Sequence, residues 1–542
     1  MTLRTSRTAL LCSFVLCFLS ACGGSGSSGG SGGSGGSGTP APAATTSVNG
    51  FVFAGPVTGA VLTVKDQAGV TVAGPITASS TDGSYQIAIP NSALAGFLVF
   101  EAAGGSYPDE ATGTASVPLG SFSAYAAPGS ITAGANITLD ASSTIVQKLM
   151  AGGKSLSAAQ SIFSSAFGYV PDCSVAPVFA NISSNAPQTS RLAGLRAAFF
   201  SQLAKDLSLA PGKQSEMVQA LADDLSDGVL DGKKGSAPVT MTSDGAIPED
   251  IALRYTASVI TFEGCANNKS KLTPDKFPAP PSGTLALTAS YRVEYLPVLG
   301  GDLTAKGGFQ LKISRRSDGT PVTGLASSVV ITQLMVMTSM SSSSTGPNAV
   351  IESDVPGTYL VTLYYSMATA GLDMYWKLSV AIGTETAVFY PRVTALPAGN
   401  TVSAKLSSSS DQVGGSNRTY RIWRDTVIQG ITGYDVILYL SSTDAGKTLP
   451  VYAGVLWSTP QLALESVTLQ VSSDGATWSP LTPLGNSGRY LAAGVSLTSG
   501  SARTLYLKLQ INGNSYTTNG NLPDGNSDLT KSNAVALFSV VP

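Results

Sequence analysis

The 542 residues of this sequence include no histidine, so one of the residue types that carry most enzymatic chemistry is missing. Nucleophile–base pairs of the Ser-His and Cys-His kinds, histidine-ligated metal centres and histidine pH switches are therefore excluded. The 33 Asp and Glu residues could supply paired carboxylates for glycoside hydrolysis, but no pair stands out by its position. The sequence therefore predicts a protein that is not an enzyme and holds no cofactor.

Methionine is the one residue type whose clustering suggests a binding site. Five of the nine methionines fall between positions 335 and 374, and Met335 and Met337 have the spacing that places both side chains on one face of a strand. Thioethers select Cu(I), so Met335, Met337 and Met340 form a candidate copper site. Because methionine also fills gaps in apolar cores, core packing is our leading interpretation and Cu(I) binding is the alternative.

Other polar and aromatic groups have both a structural and a functional interpretation. Segment 524–528 and the aspartates at 223, 224, 227 and 231 lack the ligand order of a calcium loop, which favours a polar turn and a solvated helix end. Five aromatic residues could form a platform for a glycan or a protein, or could pack in cores: Tyr364, Tyr365, Trp423, Trp457 and Trp478.

The N-terminal segment has the features of an export signal. Arg4 and Arg7 precede an apolar run over residues 9–19, which is too short to span a bilayer and leads into Leu-Ser-Ala-Cys at 19–22. This tetrad resembles a bacterial lipobox, which implies a lipoprotein signal peptide over 1–21 and a lipid-modified Cys22 as the membrane anchor. In that family Gly23, in place of an aspartate, implies sorting to the outer membrane. An ordinary secretory signal is the alternative.

The rest of the composition predicts a chain of folded domains behind a tether. Residues 22–47 carry the modified cysteine and a flexible linker, since 23–38 contain only Gly and Ser. Hydrophobic residues make up 43% of the chain, enough for the cores of roughly three to five domains. A net charge of −2 gives no field that attracts nucleic acid. We expect a membrane partner through the anchor, a protein or glycan partner at the cell surface, and no nucleic acid.

Residues 48–141 predict a β-sandwich of short strands. Asp82-Gly83 marks a tight turn into a strand in which Tyr85, Ile87 and Ile89 share one face. The order G-x-V, G-P-V-x-G-A-x-V-x-V and T-D-G-x-Y-x-I-x-I-P resembles the carboxypeptidase regulatory-like (prealbumin-like) domain. That resemblance implies a non-catalytic spacer or adhesion module.

Residues 142–279 change to a helical period, which predicts a small helical subdomain and a connector. Apolar stripes over 145–150, 192–203 and 217–225 give three helices, the spacing from Ser157 to Gln160 suggests a capping box for another, and 248–260 suggests a further one. Cys173 and Cys265 remain after Cys22, and an even pair in an oxidising compartment predicts a structural disulfide.

The remainder of the chain predicts two more β-sandwiches, over 280–398 and 399–542. In the first, the succession D-G-x-P-V-x-G-L, a Met-rich strand, G-x-Y and W-x-L-x-V resembles the YtkA-like immunoglobulin-type sandwich, whose relatives include copper-handling proteins. The predicted fold is therefore mainly β, with several β-sandwich domains and a small helical subdomain between them. The predicted function is a non-enzymatic, membrane-anchored lipoprotein of the cell envelope that acts in structure, adhesion or assembly. A Cu(I)-binding protein and a carbohydrate-binding surface protein are the alternatives.

Overall fold

The computed structural model describes residues 43–242, 244–273, 283–298, 301–337, 341–343, 349–444, 447–458 and 460–542. The predicted signal peptide, Cys22, most of the predicted tether and Met340 lie outside the described residues. The chain divides into Met1–Ala43 and Ala44–Pro542, and all features below belong to the second of these units. Its strands form three successive β-sandwiches, with helices between the first and the second. The predicted mainly β fold class, with its small helical subdomain, is confirmed.

The first sandwich packs a three-stranded sheet in the order β4-β1-β9 against a four-stranded sheet in the order β3-β2-β5-β8. Strands β1 and β9 are parallel, and the other pairs in the two sheets are antiparallel. The strands, with the short β6–β7 pair and a 3₁₀ turn at Asn91–Ala93, are β1 (Thr45–Val52), β2 (Val61–Asp66), β3 (Thr71–Thr77), β4 (Ser84–Pro90), β5 (Leu98–Ala103), β6 (Ser106–Tyr107), β7 (Val117–Pro118), β8 (Ser121–Ala126) and β9 (Asn136–Leu139).

Side chains that alternate between buried and exposed, as along β4, determine how the strands of this sandwich pack. Tyr85, Ile87 and Ile89 of β4 are buried on one face, as the sequence predicts. The Tyr85 hydroxyl donates a hydrogen bond to the main-chain oxygen of Ile137 at 2.6 Å. This contact crosses Gly50 of β1, where a Cβ atom would lie 1.9 Å from the same oxygen. Glycine at position 50 is therefore required for the close approach of β1 and β9.

The helical region contains five α-helices, a 3₁₀ turn at Leu225–Asp227 and two short hairpins. The helices are α1 (Ala141–Ala151), α2 (Leu156–Phe167), α3 (Gln188–Asp206), α4 (Gln214–Asp224) and α5 (Ile251–Glu263), and the hairpin strands are β10 (Lys233–Lys234), β11 (Ala237–Pro238), β12 (Thr240–Met241) and β13 (Gly245–Ala246). All five predicted helices are present. None of the helices among the described residues is long and apolar enough to cross a membrane.

Polar side chains cap the first two helices, and the cap of the second differs from the sequence prediction. Asp140 and Ser143 form the capping box of α1, in which the side chain of each accepts a hydrogen bond from the main-chain N–H of the other. Helix α2 is capped by Ser155, whose hydroxyl oxygen accepts a hydrogen bond from the main-chain N–H of Ala158. The predicted capping box from Ser157 to Gln160 is therefore wrong, because α2 begins one residue before Ser157 and the cap lies outside that spacing.

The first sandwich and the helices share one hydrophobic core. Buried residues of the sandwich, such as Phe100 and Phe122, belong to the same apolar cluster as Phe163 of α2, Phe200 of α3 and Leu221 of α4. The predicted boundary near residue 141 falls inside this shared core. Residues 44–273 are called the first module below, since neither part buries its apolar face without the other.

The second module is a sandwich of a five-stranded sheet, β14-β15-β17-β21-β20, and a four-stranded sheet, β19-β18-β22-β23, with β16 pairing β24 at one side. Its core lies between the two sheets and includes Trp376 and Phe309. The strands are β14 (Leu285–Leu287), β15 (Tyr291–Pro297), β16 (Asp302–Leu303), β17 (Ala305–Arg315), β18 (Val330–Met337), β19 (Ser341–Ser343), β20 (Ala349–Glu352), β21 (Thr358–Tyr365), β22 (Met374–Ile382), β23 (Glu385–Phe389) and β24 (Val393–Thr394).

The third module is a sandwich of two sheets. One has the strand order β25-β26-β27-β34-β33, and β28 also pairs with β27. The other has the order β32-β31-β35-β36, and β37 also pairs with β35. The strands are β25 (Ser403–Val413), β26 (Ser416–Gln429), β27 (Tyr434–Asp444), β28 (Lys447–Pro450), β29 (Leu456–Ser458), β30 (Gln461–Ala463), β31 (Val467–Ser472), β32 (Ser479–Pro480), β33 (Thr482–Pro483), β34 (Arg489–Val495), β35 (Arg503–Ile511), β36 (Asn514–Tyr516) and β37 (Ala536–Val540).

The two cysteines of the first module are free thiols, so the predicted disulfide between Cys173 and Cys265 is not formed in the structure. Different elements hold them. The main-chain oxygen of Cys173 accepts a hydrogen bond from Thr138 of β9, whereas Cys265 follows α5 and donates its N–H to Phe262. Burial raises the pKa of the Cys173 thiol to about 12, which keeps it protonated and unreactive at neutral pH.

Helix α3 provides a test of how tightly the first module is packed. Gly194 lies in its middle, where a Cβ atom would be 1.6 Å from the main-chain oxygen of Val178. We predict that Gly194→Ala lowers the free energy of unfolding by about 1–3 kcal/mol, even though alanine favours helix. The added methyl group would overlap the main chain at Val178, which must therefore move. Urea unfolding followed by circular dichroism measures this. Thr189→Ala, an exposed change on the same helix, is the control, and equal stability of the two variants would contradict the packing.

Candidate functional site

Met335 and Met337 of the candidate copper site lie on the inner face of β18. Met335 has no exposed surface and pairs across the strands with Trp376, while Met337 is half-buried and pairs with Met374. Both side chains pack in or against the core of the second module. Met340 lies outside the described residues. The leading interpretation of core packing is confirmed for Met335 and Met337, and Cu(I) binding stays a prediction. Within the described ranges, no group of three or more His, Cys, Asp or Glu could hold a metal.

The aromatic platform is not formed by four of its five candidate residues. Tyr364, Tyr365, Trp423 and Trp457 are at most 1% exposed, so they cannot stack on a sugar at the surface. Trp478 is half-buried, and the Lys508 ammonium lies 3.8 Å from its ring centroid. Internal packing is therefore the correct interpretation of the four buried residues.

The aspartate groups hold loops through main-chain hydrogen bonds. Asp524 accepts from the N–H groups of Asn526 and Asn533, which confirms a polar turn at 524–528. Asp224 is buried and accepts from Asp231 and Gly232, so the predicted solvated helix end is wrong for this residue. A buried carboxylate there is tolerated because two main-chain donors face it.

A buried polar cluster joins the second and third modules, and we call it the Asp425 joint. It consists of Lys306, Tyr364, Asp425, Tyr439 and Arg489. Lys306 on β17 and Tyr364 on β21 come from the second module, whereas Asp425 on β26, Tyr439 on β27 and Arg489 on β34 come from the third. Lys306, Tyr364 and Arg489 all donate hydrogen bonds to one carboxylate.

The Asp425 side chain has no exposed surface and is saturated with donors. Its Oδ1 atom accepts from Lys306 Nζ at 2.8 Å and Arg489 Nη2 at 3.0 Å, and its Oδ2 atom accepts from Arg489 Nε at 3.0 Å and the Tyr364 hydroxyl at 2.6 Å. The arginine contact is therefore bidentate, which fixes its orientation as well as its distance. Burial raises the pKa of Asp425, but hydrogen bonds and charge from Arg489 and Lys306 outweigh it and hold the pKa below its ordinary value.

Aromatic rings complete the Asp425 joint. The rings of Tyr364 and Tyr439 stack across the two modules with centroids 4.3 Å apart and planes 15° from parallel. Trp423 packs beside them and donates from its indole nitrogen to Ser441 at 2.9 Å. Stacked aromatic contacts add about 0.5–1.5 kcal/mol beyond their buried area. The joint thus combines an apolar contact with a fully desolvated, fully paired charge.

A local irregularity of β26 directs Asp425 into this joint. The pairing of β26 with β27 shifts register between Arg424 and Thr426, so Asp425 has no opposite residue in the ladder. Such a bulge turns one side chain away from strict alternation. Sequence inspection missed Asp425, Lys306 and Arg489. The one signal in the sequence is the charged pair Arg424-Asp425, which follows the apolar Ile422 and Trp423 within β26.

A second junction connects the helices of the first module with the second module. Glu249 forms ion pairs with Lys233 of its own module and with Arg292 on β15 of the second module. Asp250 accepts from the main-chain N–H of Leu287 at 3.1 Å, and Leu253 of α5 packs in the core of the second module. A cleft of about 470 Å³ lies along this junction. Four of its lining residues are acidic (Asp231, Glu249, Asp250 and Glu294), and Arg292 is the one basic residue.

The second module also buries an acid that is only partly satisfied. Tyr295 donates its hydroxyl to Asp302 Oδ2, while Asp302 Oδ1 has no hydrogen-bond partner. Burial raises the pKa of Asp302 to about 6, although the Tyr295 hydrogen bond opposes this shift. The folded state therefore keeps a proton on Asp302 in a pH range where the unfolded chain, with an ordinary pKa of 3.8, has released it.

We predict that raising the pH from about 4 to above 6 lowers the free energy of unfolding by about 3 kcal/mol through Asp302, because ionisation is opposed only in the folded state. Asp302→Asn removes this part of the pH dependence, as measured by urea unfolding at several pH values. Tyr295→Phe is the matched variant and should move the window upward, since it removes the bond that lowers the pKa. An unchanged pH profile in Asp302→Asn would rule out this role.

Comparisons with known proteins give no family for the chain. No protein-family model matches it, and no curated protein matches it. Among solved structures, it is similar to a marsupial T cell receptor at 10% identity, over 43% of this chain and 96% of that chain, with a TM-score of 0.14. It is also similar to titin domains A168–A170 (7% identity, 42% and 95% covered, TM-score 0.13) and to titin domains z1z2 in complex with telethonin (12%, 47% and 98%, TM-score 0.12). At these scores the similarity carries no conclusion about function.

Proposed function

We propose that the chain is a lipoprotein of the bacterial cell envelope, anchored through Cys22 and acting as a non-enzymatic structural or binding module. The observation that carries the structural part is the Asp425 joint, in which one buried carboxylate is bonded by donors from two sandwiches. A protein whose modules are bonded to each other in this way holds its surfaces at fixed separations, which suits a spacer or an assembly scaffold.

The sequence supports the membrane part of the proposal. The Leu-Ser-Ala-Cys tetrad at 19–22 resembles a lipobox, and a Gly/Ser segment follows that lets an anchored protein stand away from the bilayer. Several acyl chains on one residue give stable anchoring where one chain gives marginal binding. Outer-membrane location rests on Gly23.

Resemblances within two of the modules agree with this proposal. The T-D-G-x-Y-x-I-x-I-P segment at 81–90 forms the Asp-Gly turn and buried strand expected for a carboxypeptidase regulatory-like domain. The W-x-L-x-V segment of the YtkA-like resemblance is the buried strand β22. Both resemblances imply modules that bind or space, and the buried methionines favour this over copper handling.

Replacement of the anchor residue tests the location. We predict that Cys22→Ala moves the protein out of the membrane fraction of the expressing bacterium, because the acyl chains can no longer be attached. Cys17→Ala, which removes a cysteine from within the predicted signal peptide, should leave anchoring unchanged. Gly23→Asp should retain the lipid but shift the protein from outer to inner membrane on a density gradient. Persistence of the Cys22→Ala protein in the membrane would refute the anchor.

Neutralising the central carboxylate tests the joint. We predict that Asp425→Asn lowers the free energy of unfolding of the third module by about 2–4 kcal/mol, because the charge-assisted bonds to Lys306 and Arg489 are lost. Small-angle scattering should also show a broader range of overall dimensions. The exposed Asp528, which pairs with Lys531 at 3.1 Å, provides the control, and Asp528→Asn should change neither measurement. An Asp425→Asn protein with unchanged stability and dimensions would contradict the proposal.

A further inference from the structure

The loop between β6 and β7 attaches the first sandwich to the helices. The Asp109 carboxylate accepts from the Ser201 hydroxyl of α3 at 2.9 Å, and the same oxygen of Ser201 accepts from the N–H of Ala111 at 3.0 Å. Lys205, one turn further along α3, donates from Nζ to the main-chain oxygen of Ala111 at 2.9 Å. We call residues 108–113 the latch loop, because these contacts add polar attachments between the sandwich and the helices to the core that they share.

Glu110 lies at the centre of the latch loop. Its main-chain oxygen accepts from the side-chain amides of Asn181 at 3.0 Å and Asn267 at 3.1 Å. These residues lie before α3 and after α5, respectively. The backbone of Glu110 is therefore bonded to two further segments of the helical region, and any movement of this residue disturbs all three attachments.

The Glu110 side chain is the most unusual polar group in the described part of the molecule. It has no exposed surface, and neither carboxylate oxygen has a hydrogen-bond partner. The Oδ1 atom of Asn181 is likewise buried and without a partner. All three atoms can only accept hydrogen bonds when the acid is ionised, so the ionised form leaves a desolvated charge without a hydrogen bond of ordinary geometry. A protonated carboxyl group is neutral and supplies one donor.

The charged and titratable groups around Glu110 do not compensate an ionised carboxylate. Asp109, beside it in the latch loop, adds a like charge. The Tyr107 hydroxyl is engaged with Gln214, and the Lys205 ammonium is held by the Ala111 oxygen. From the turn after β1, the Gly55 N–H faces the carboxylate but does not form a hydrogen bond of ordinary geometry. Burial, reinforced by Asp109, raises the pKa of Glu110 well above its ordinary value, and the main-chain N–H groups of Glu110 itself and of Gly55 only partly oppose this.

We propose that Glu110 is held as a neutral acid in the folded protein, and that its ionisation releases the latch loop from the helices. The latch loop is then bonded to the helices at acidic and neutral pH and is released from them at alkaline pH. The sign follows from proton linkage: the unfolded or open form loses its proton near pH 4.5, so the advantage of the closed form falls as the pH rises above that value.

Hydrogen–deuterium exchange of the full chain tests this proposal. Peptides that cover 106–118 are followed at pH 6 to 9, after correction for the intrinsic pH dependence of exchange. We expect the opening constant of the wild-type loop to rise by up to about tenfold per pH unit, because one proton is released on opening. Glu110→Gln, which cannot ionise, should show no such rise. Glu101→Gln on the same sandwich, where Glu101 forms a half-exposed ion pair with Lys65, should behave as wild type.

Equal pH slopes for the wild type and Glu110→Gln would overturn the proposal. Added calcium or sodium chloride at pH 9 gives a second check. If either salt protected the wild-type loop from exchange but did not protect the loop of Glu110→Gln, the proposal would also be overturned, because a cation would then occupy the place of the proton. Infrared spectroscopy gives a readout that does not depend on the variant folding. With glutamate-selective ¹³C labelling, the wild-type protein at pH 8 should show an isotope-shifted band of a protonated carboxyl group, and its absence would contradict a neutral Glu110.

Discussion

A charge buried between two sandwiches determines how the second and third modules are arranged. Transfer of the Asp425 carboxylate out of water costs several kcal/mol, and this cost is offset only while Lys306, Arg489 and Tyr364 all reach it. Separation or rotation of the two modules would remove the bonds from Lys306 and Tyr364 and leave the carboxylate with Arg489 and Thr426 of its own module only. An apolar contact of the same area would permit sliding, whereas directed hydrogen bonds from Lys306 and Tyr364 and a stacked tyrosine pair specify one orientation.

The connection between the first and second modules follows a different principle. Leu253 of α5 enters the core of the second module, and Asp250 binds the main chain of β14, so part of the helical region acts as a structural extension of the sandwich. Within the first module the sandwich and helices share one core. The parts of the chain are thus connected in three ways. A common core joins the sandwich and helices within the first module, an inserted side chain with a main-chain bond joins the first and second modules, and a buried charge joins the second and third. All three limit relative motion, which is what a spacer or scaffold at a membrane requires.

The parts that sequence inspection predicted depend on local periodicity. Tyr85, Ile87 and Ile89 alternate along β4, and the stripe through Leu195, Phe199 and Leu203 repeats along α3, so both elements are visible in the chain itself. The parts that it missed depend on contacts between distant residues. Asp425 and Lys306 are 119 residues apart, and only the folded structure shows that they meet. The disulfide prediction failed for the same reason, since an even count of cysteines says nothing about where two of them lie.

The rigidity of the junction between the second and third modules can be measured most directly by pulsed electron paramagnetic resonance. Spin labels are placed on cysteines introduced at the exposed positions Thr320 and Ser501, with the other cysteines replaced by serine. We predict a single narrow distance distribution for the otherwise unchanged chain, and a broad one when Asp425→Asn is added. A broad distribution in the chain that retains Asp425 would show that the buried carboxylate does not hold the two sandwiches together.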